Sequence, residues 1–349
     1  MAMMSRPLSI AVLLATALAP SATLASGIQV PSALRQKAEA GNAVAEVKLA
    51  GAYSHGQSNA DKVAAAEWWR KAALQGNATG AWRLGAAYLA GSGVPHDPAK
   101  GLQWMRKGIA GSPERMFVYA ADANKFSDRA DTRTVVLRWF RRSAQAGFPA
   151  GMFFAATLDV DPQLGARRDV QDAQHWQTKM AETGNPLLEA VAGALFLGEK
   201  EPTTAVRWMT KAADAGLSQA QGMLAAGMMT GKNGFPIDPR QAVAWADKAV
   251  VQHNALGYYA LGIAYQDGRG GMPVNPAKAW YNFAAAQHTD TDHELTHVAA
   301  RLSQAADDLS ASQISKLQVE VAGIPMPACG DGINVRFTKQ SGFRTAVCE

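Results

Sequence analysis

Seven tryptophans stand at positions 68, 104, 139, 176, 208, 245 and 280, separated by 36, 35, 37, 32, 37 and 35 residues. A period of that length marks repeated supersecondary units stacked in a row. Three residues before each indole comes Ala65, Gly101, Val136, Ala173, Ala205, Ala242 or Ala277; four after it comes Ala72, Gly108, Ser143, Met180, Ala212, Ala249 or Ala284. Positions three and four apart share a helix face, so each indole lies on a stripe of mostly small side chains that lets a neighbouring helix approach. Alanine is frequent and β-branched residues are sparse, which favours helix and excludes an all-β class.

Seven residues before the indoles come Asp61, Asp97, Thr132, Asp169, Glu201 and Asp238, followed in three cases by Pro98, Pro202 and Pro239. These are helix-start signals, a side-chain oxygen for orphan amides and a proline at the first position. Upstream lies a second helical pattern, clearest in Leu84-Gly85 with Tyr88 and Leu261-Gly262 with Tyr265, and weaker in Leu49-Ala50 with Tyr53. Gly76, Gly147, Gly184 and Gly216 stand eight residues after their tryptophans, where a left-handed cap would close the hairpin. Each unit therefore reads as two antiparallel helices. Such a pair cannot bury its own apolar surface, so about seven of them must stack to make a continuous core.

The segment carrying Leu84-Gly85, Tyr88, Gly91-Ser92-Gly93-Val94, Asp97, Lys100, Trp104 and Lys107 resembles the Sel1-like repeat, a tetratricopeptide-related helical hairpin, and Gly262 to Ala285 is similar. The resemblance covers about residues 33–287. In repeats three to five, Ala120, Ala155 and Ala192 replace the family's Leu, and Asn124, Asp159 and Phe196 its Tyr. It implies an all-α fold, a right-handed superhelical α-solenoid over 26–287. Leu302, Leu309, Ile314, Leu317 and Val321 recur at helical spacing and look like capping helices within 288–323, followed by a tail at 324–349.

The first 25 residues have the anatomy of a signal peptide: Arg6, an apolar run from Leu8 to Ala19, and small residues at Thr23-Leu24-Ala25. The run is ~12 residues, against ~20 needed to span a bilayer. Cleavage near Ala25 would leave an exported, periplasmic chain of net charge +4. In that oxidising compartment Cys329 and Cys348 are expected to be bridged, closing a loop of eighteen residues. Ile333, Val335 and Phe337 alternate with polar residues, then turn chemistry precedes Phe343 to Val347, which reads as a small stapled hairpin.

Sel1-like arrays are binding scaffolds, so the resemblance implies a protein partner held without catalysis. If the first helix of each hairpin lines the concave side, the inward positions include Val44, Val47, Thr79, Trp82 and Leu89, then Val118, Asp122 and Phe153. Further along come Leu187, Leu197, Met229, Leu256, Tyr259, Ile263 and Gln266. A contiguous apolar groove with Trp, Tyr and Met anchors is the usual mark of a partner site. Exported members of the family suggest two roles: an immunity protein covering the active site of a type VI secreted effector of phospholipase class, or a scaffold for envelope assembly or host contact. The chain is expected to be monomeric alone, without cofactor, nucleic acid or stable membrane insertion.

One string competes for chemistry. His293-Glu294-Leu295-Thr296-His297 resembles the H-E-x-x-H of thermolysin-type zinc proteases, with Glu320 a conceivable third ligand. Its surroundings, Thr289-Asp290-Thr291-Asp292 and no neighbouring sheet, point instead to a solvated helix face running into the cap. Arg138, Arg141 and Arg142, with Arg133, Arg167 and Arg168 nearby, form a basic cluster read as a solvated face. No phosphate loop or nucleophile elbow occurs, and no enzyme is expected. For the tail, intact-mass measurement of the non-reduced protein should show a two-hydrogen deficit. Two free thiols would overturn the bridge, worth roughly 3 kcal/mol in the chain-entropy model.

Overall fold

The computed structural model describes residues 28–126, 130–158, 169–290, 295, 297–326, 335–336 and 344–345. They fall into two compact units, the first ending at Gly108 and the second beginning at Ile109. The first holds α1 (Ser32–Glu39) and two hairpins, α2 (Ala43–Ser54) with α3 (Asn59–Leu74), and α4 (Ala78–Ala90) with α5 (Pro98–Lys107). Five hairpins make up the second: α6 (Pro113–Phe126) and α7 (Ala130–Gln145), α8 (Pro149–Leu158) and α9 (Val170–Ala181), α10 (Pro186–Gly198) and α11 (Pro202–Asp214), α12 (Ser218–Thr230) and α13 (Pro239–Val250), α14 (Ala255–Asp267) and α15 (Pro276–Thr289). Two further helices follow, α16 (Val298–Ala306) and α17 (Ala311–Ala322), then β1 (Val335–Arg336) antiparallel to β2 (Arg344–Thr345).

Within each unit every hairpin helix packs on the next, so the fold is an α-solenoid. First helices also touch the first helix of the following hairpin, as α2 does α4, α6 does α8 and α12 does α14. The packing of α12 on α14 is the most extensive of these, which places those first helices on the inner side of their run.

The helix starts follow side-chain chemistry. Asn42, Asn77, Asn185 and Asn254 cap first helices with their amide oxygens; Asp97, Asp169, Asp238 and Asn275 cap second ones. Lys100 donates its N–H to Asp97, and that bond holds the Asp97 carboxyl below the usual carboxylate range. Three of the hairpin loops are pinned the same way. The N–H of Asp97, Asp238 and Asn275 donates to the carbonyl of Tyr88, Met228 and Tyr265 respectively, at 2.9–3.0 Å. Asp61 differs from expectation. Its helix starts earlier, Ser58 is the cap, and Asp61 is the third residue of a reciprocal capping box. Gly76, Gly147, Gly184 and Gly216 do take positive φ, but they link one hairpin to the next instead of closing a hairpin.

The seventh tryptophan is also out of register. Trp104, Trp208 and Trp245 stand six residues after their helix-starting prolines, whereas Trp280 stands four after Pro276. Asn282 occupies the indole position there, and Phe283 follows it where Met105 and Met209 stand in α5 and α11. These larger side chains fit because the facing first helix carries glycine. A Cβ on Gly85 would lie 2.5 Å from Met105 Cγ and 2.6 Å from the Gly101 carbonyl oxygen, and one on Gly262 2.5 Å from the Phe283 ring.

Repeats three and four, which lack the Leu and Tyr of the pattern, fill the space with phenylalanine. Phe117 lies 5.4–5.6 Å by ring centroids from Phe140, Phe148 and Phe154, and Phe140 stacks on Phe154 at 4.9 Å. Residues 1–25, with the expected signal peptide, and both cysteines, Cys329 and Cys348, lie outside the described residues. Two alanine substitutions test the close packing by urea unfolding. Gly85→Ala meets partner-helix backbone and should destabilise by about 1–3 kcal/mol. Gly51→Ala meets nothing within 4 Å on α2 and should stabilise by about 0.5–1 kcal/mol.

Candidate functional site

The inner helices of hairpins five to seven are poor in charge. No acidic or basic residue occurs in α12; α14 has only Asp267, its last residue; α10 has only Glu189, which is buried against the Lys211 ammonium. A helix apolar on all sides needs cover on all sides. Here part of the surface is open.

On α12, Met223, Ala226, Gly227 and Thr230 follow at helical spacing and line a cavity of about 590 Å³, with Leu197 from α10 and Leu256 and Tyr259 from α14. Gly231, Lys232, Asn233 and Phe235, in the loop after α12, form one wall, and Leu295 and His297 another. A second compartment of about 580 Å³ shares Tyr259 and His297 and continues over Asp267 to Ala300, Arg301 and Gln304 of α16. Local bonds hold this end: Leu295 donates its N–H to Asp290 at 3.0 Å, and His288 Nε2 meets the Ile324 carbonyl at 3.0 Å. Arg301 Nη1 donates to Gln266 Oε1 at 2.6 Å and lies 3.6 Å from Asp267, whose other oxygen is 3.3 Å from Arg269.

Of the inward positions expected from the sequence, Leu197, Leu256 and Tyr259 meet in the first compartment. Gln266 adjoins the second through Arg301. Met229 and Ile263 do not reach a surface: they are 0% and 1% exposed, inside the cluster that holds Phe235 and Phe283. The expected frame placed Met229 on the open stripe, but α12 opens through Met223, Ala226 and Thr230, and both Met228 and Met229 turn inward. Phe153 and Leu187 pack against the aromatic and alanine core of hairpins three and four.

In the first unit, Leu89 leans on α5, where a Cβ on Gly101 would meet its side chain. Val44 is exposed; Val47 and Trp82 are half-buried, as is Thr79. Val118 and Asp122, on α6 in the second unit, are half-buried too.

Sequence reasoning missed Met223, Phe235 and Leu295. The helical spacing of Met223 with Ala226 and Thr230 was the available signal; nothing marked Leu295.

The two described residues of the H-E-x-x-H string, Leu295 and His297, are outside any helix. α15 ends at Thr289, Leu295 is non-helical, and His297 is the exposed residue before α16. His293 and Glu294 lie outside the described residues, among which no cluster of metal-ligating side chains occurs. Of the basic cluster, Arg141 pairs with Asp172 at 2.8 Å and Arg142 covers the Trp139 ring.

The model of the Sel1 repeat family matches residues 43–77, 78–112, 137–148, 192–217, 218–250 and 255–286. The chain belongs to the Sel1-repeat family. The Sel1 matches omit most of hairpins three and four, where phenylalanines replace the repeat's own core residues. Two solved structures are similar. One is a protective antigen present in uropathogenic Escherichia coli strains and displaying an SLR fold, at TM-score 0.54 and 27% identity over 82% of this chain and 61% of that one. The other is a Sel1 repeat protein from Oxalobacter formigenes, at TM-score 0.52 and 26% identity over 78% of each chain. This chain thus spans about three fifths of the first relative. No curated protein matches it.

Core and cleft separate by mutation. Met229→Ala and Ile263→Ala should each lower unfolding free energy by about 2–5 kcal/mol, whereas Leu256→Ala, half-buried at the cleft, should lose under about 1.5 kcal/mol. Equal losses in denaturant titration would refute the assignment.

Proposed function

We propose that this Sel1-repeat protein is a non-catalytic scaffold that holds a protein segment in the cleft of hairpins five to seven. One observation carries the reading: three consecutive inner helices with almost no charge leave an apolar cavity open between them. Tyr259 and Met223 offer the aromatic and thioether anchors that partners favour. No helix among the described residues is long and apolar enough to cross a membrane.

The finer proposal is an exported, periplasmic immunity protein that covers the active site of a type VI secreted effector of phospholipase class. It rests on the signal-like first 25 residues and on the family resemblance. A second reading, a scaffold for envelope assembly or host contact, is supported by the likeness to a protein described as a protective antigen.

Mixing the mature chain with each product of its neighbouring genes tests the finer proposal. A stoichiometric complex that abolishes lipid hydrolysis supports immunity; neither complex nor inhibition removes it and leaves the scaffold reading. In any complex that forms, Tyr259→Glu should weaken binding by at least ~2 kcal/mol with helicity unchanged. Unchanged affinity in calorimetry would remove the cleft from the interface.

A further inference from the structure

We infer that the segment held in this cleft is acidic as well as apolar: an extended stretch that places a large hydrophobic side chain in the first compartment and a carboxylate beside it, over Lys232 and Arg301. The inference rests on the cleft being a protein-binding site and adds the chemistry of its occupant.

Charge complementarity selects that chemistry. Lys232 stands at the edge of the apolar compartment and Arg301 in the floor of the next, and the two compartments join at Tyr259 and His297. Among the described residues Asp267 is the one carboxylate that lines either of them, and it is already engaged by both Arg301 and Arg269. Among the described residues the two lining cations, Lys232 and Arg301, therefore outnumber the one lining anion, whose charge Arg269 also shares. Arg301 makes both its polar contacts through Nη1, so its Nε and Nη2 meet no protein acceptor among the described residues. Neither does the exposed Lys232 ammonium. Beside them, the buried Nε2 of Gln266 also lacks an acceptor. A neutral segment would leave these donors to water, and a basic one would be repelled. An acidic residue next to a Leu, Met or aromatic anchor satisfies both compartments at once.

A randomised dodecapeptide display library selected on the full chain provides the probe. The inference expects enriched sequences that carry Asp or Glu within two residues of a large apolar side chain. Affinity for such a peptide should fall at least fivefold in Lys232→Gln and again in Arg301→Gln, less in Arg301→Lys, and should weaken as salt rises from ~0.05 to ~0.5 M. The Lys232 ammonium is exposed and holds no polar partner among the described residues, so its substitution leaves the backbone bonds of the turn in place. Enrichment of neutral or basic sequences, no enrichment at all, or acidic peptides indifferent to both substitutions would overturn the inference. If selected peptides lose affinity in Tyr259→Glu but ignore Lys232→Gln and Arg301→Gln, the cleft stands as a binding site and its acidic preference falls. If they ignore Tyr259→Glu too, the cleft itself is lost.

Discussion

The hairpins exist because two helices can approach until their backbones nearly touch. Gly85 faces Gly101 and Met105, Gly193 faces Ala205 and Met209, and Gly262 faces Phe283, each at a distance where a single added methyl would collide. Interiors are packed like molecular crystals, so that closeness is compatible with only one axial register between the helices of a pair. Once the register is set, the capping Asp or Asn of the second helix falls within reach of a carbonyl on the first, and the loop closes with a backbone hydrogen bond. The core that results is built largely of alanine, with Met and Phe filling what alanine leaves. Stacking then follows, since a pair this thin has no interior of its own.

What could be read from the chain divides along the same line. Interactions within one hairpin are local in sequence, and the tryptophan period, the caps at Asp97, Asp169 and Asp238, and the positive-φ glycines were legible as spacing. Errors arose where a second register satisfied the same pattern. Trp280 keeps the period by number while sitting two positions early in its helix, because Phe283 does the packing against Gly262. Met229 occupies a plausible inward position, yet the loop after α12 folds Phe235 into the core beside it. In hairpins three and four a phenylalanine cluster solves the packing with residues the repeat pattern does not specify.

The cleft was the least legible feature because part of it is made by residues at the break between two helices. α15 ends at Thr289 and Leu295 is non-helical; Asp290 accepts the Leu295 N–H, and Leu295 and His297 line the cavity with Leu256 and Tyr259 of α14. A helical reading of 288–323 runs through that break and places these residues in solvent. Ending the array this way has a consequence for its last hairpins. Ile263 is buried while Tyr259 and Leu256 stay half-open, so the inner surface ends in a recess instead of a sealed core.

The opposite side of the hairpins covers its aromatic surface in a way this recess does not. Along the second helices a cation stands three residues after most indoles and covers its ring: Lys71 on Trp68 at 3.9 Å, Lys107 on Trp104 at 4.3 Å, Lys248 on Trp245 at 4.1 Å. Each such pair sheathes an aromatic face with a hydrated charge, at about 0.5–1 kcal/mol where exposed. A partner docking there would have to strip water from the cation and displace it from the ring. On the inner helices of hairpins five to seven neither penalty applies, because no charge stands on the apolar stripe of α12. The same repeat therefore makes one face unattractive and the other receptive. The positive groups that remain, Lys232 and Arg301, stand at the edges of the recess, where they can orient an occupant without having to be displaced by it.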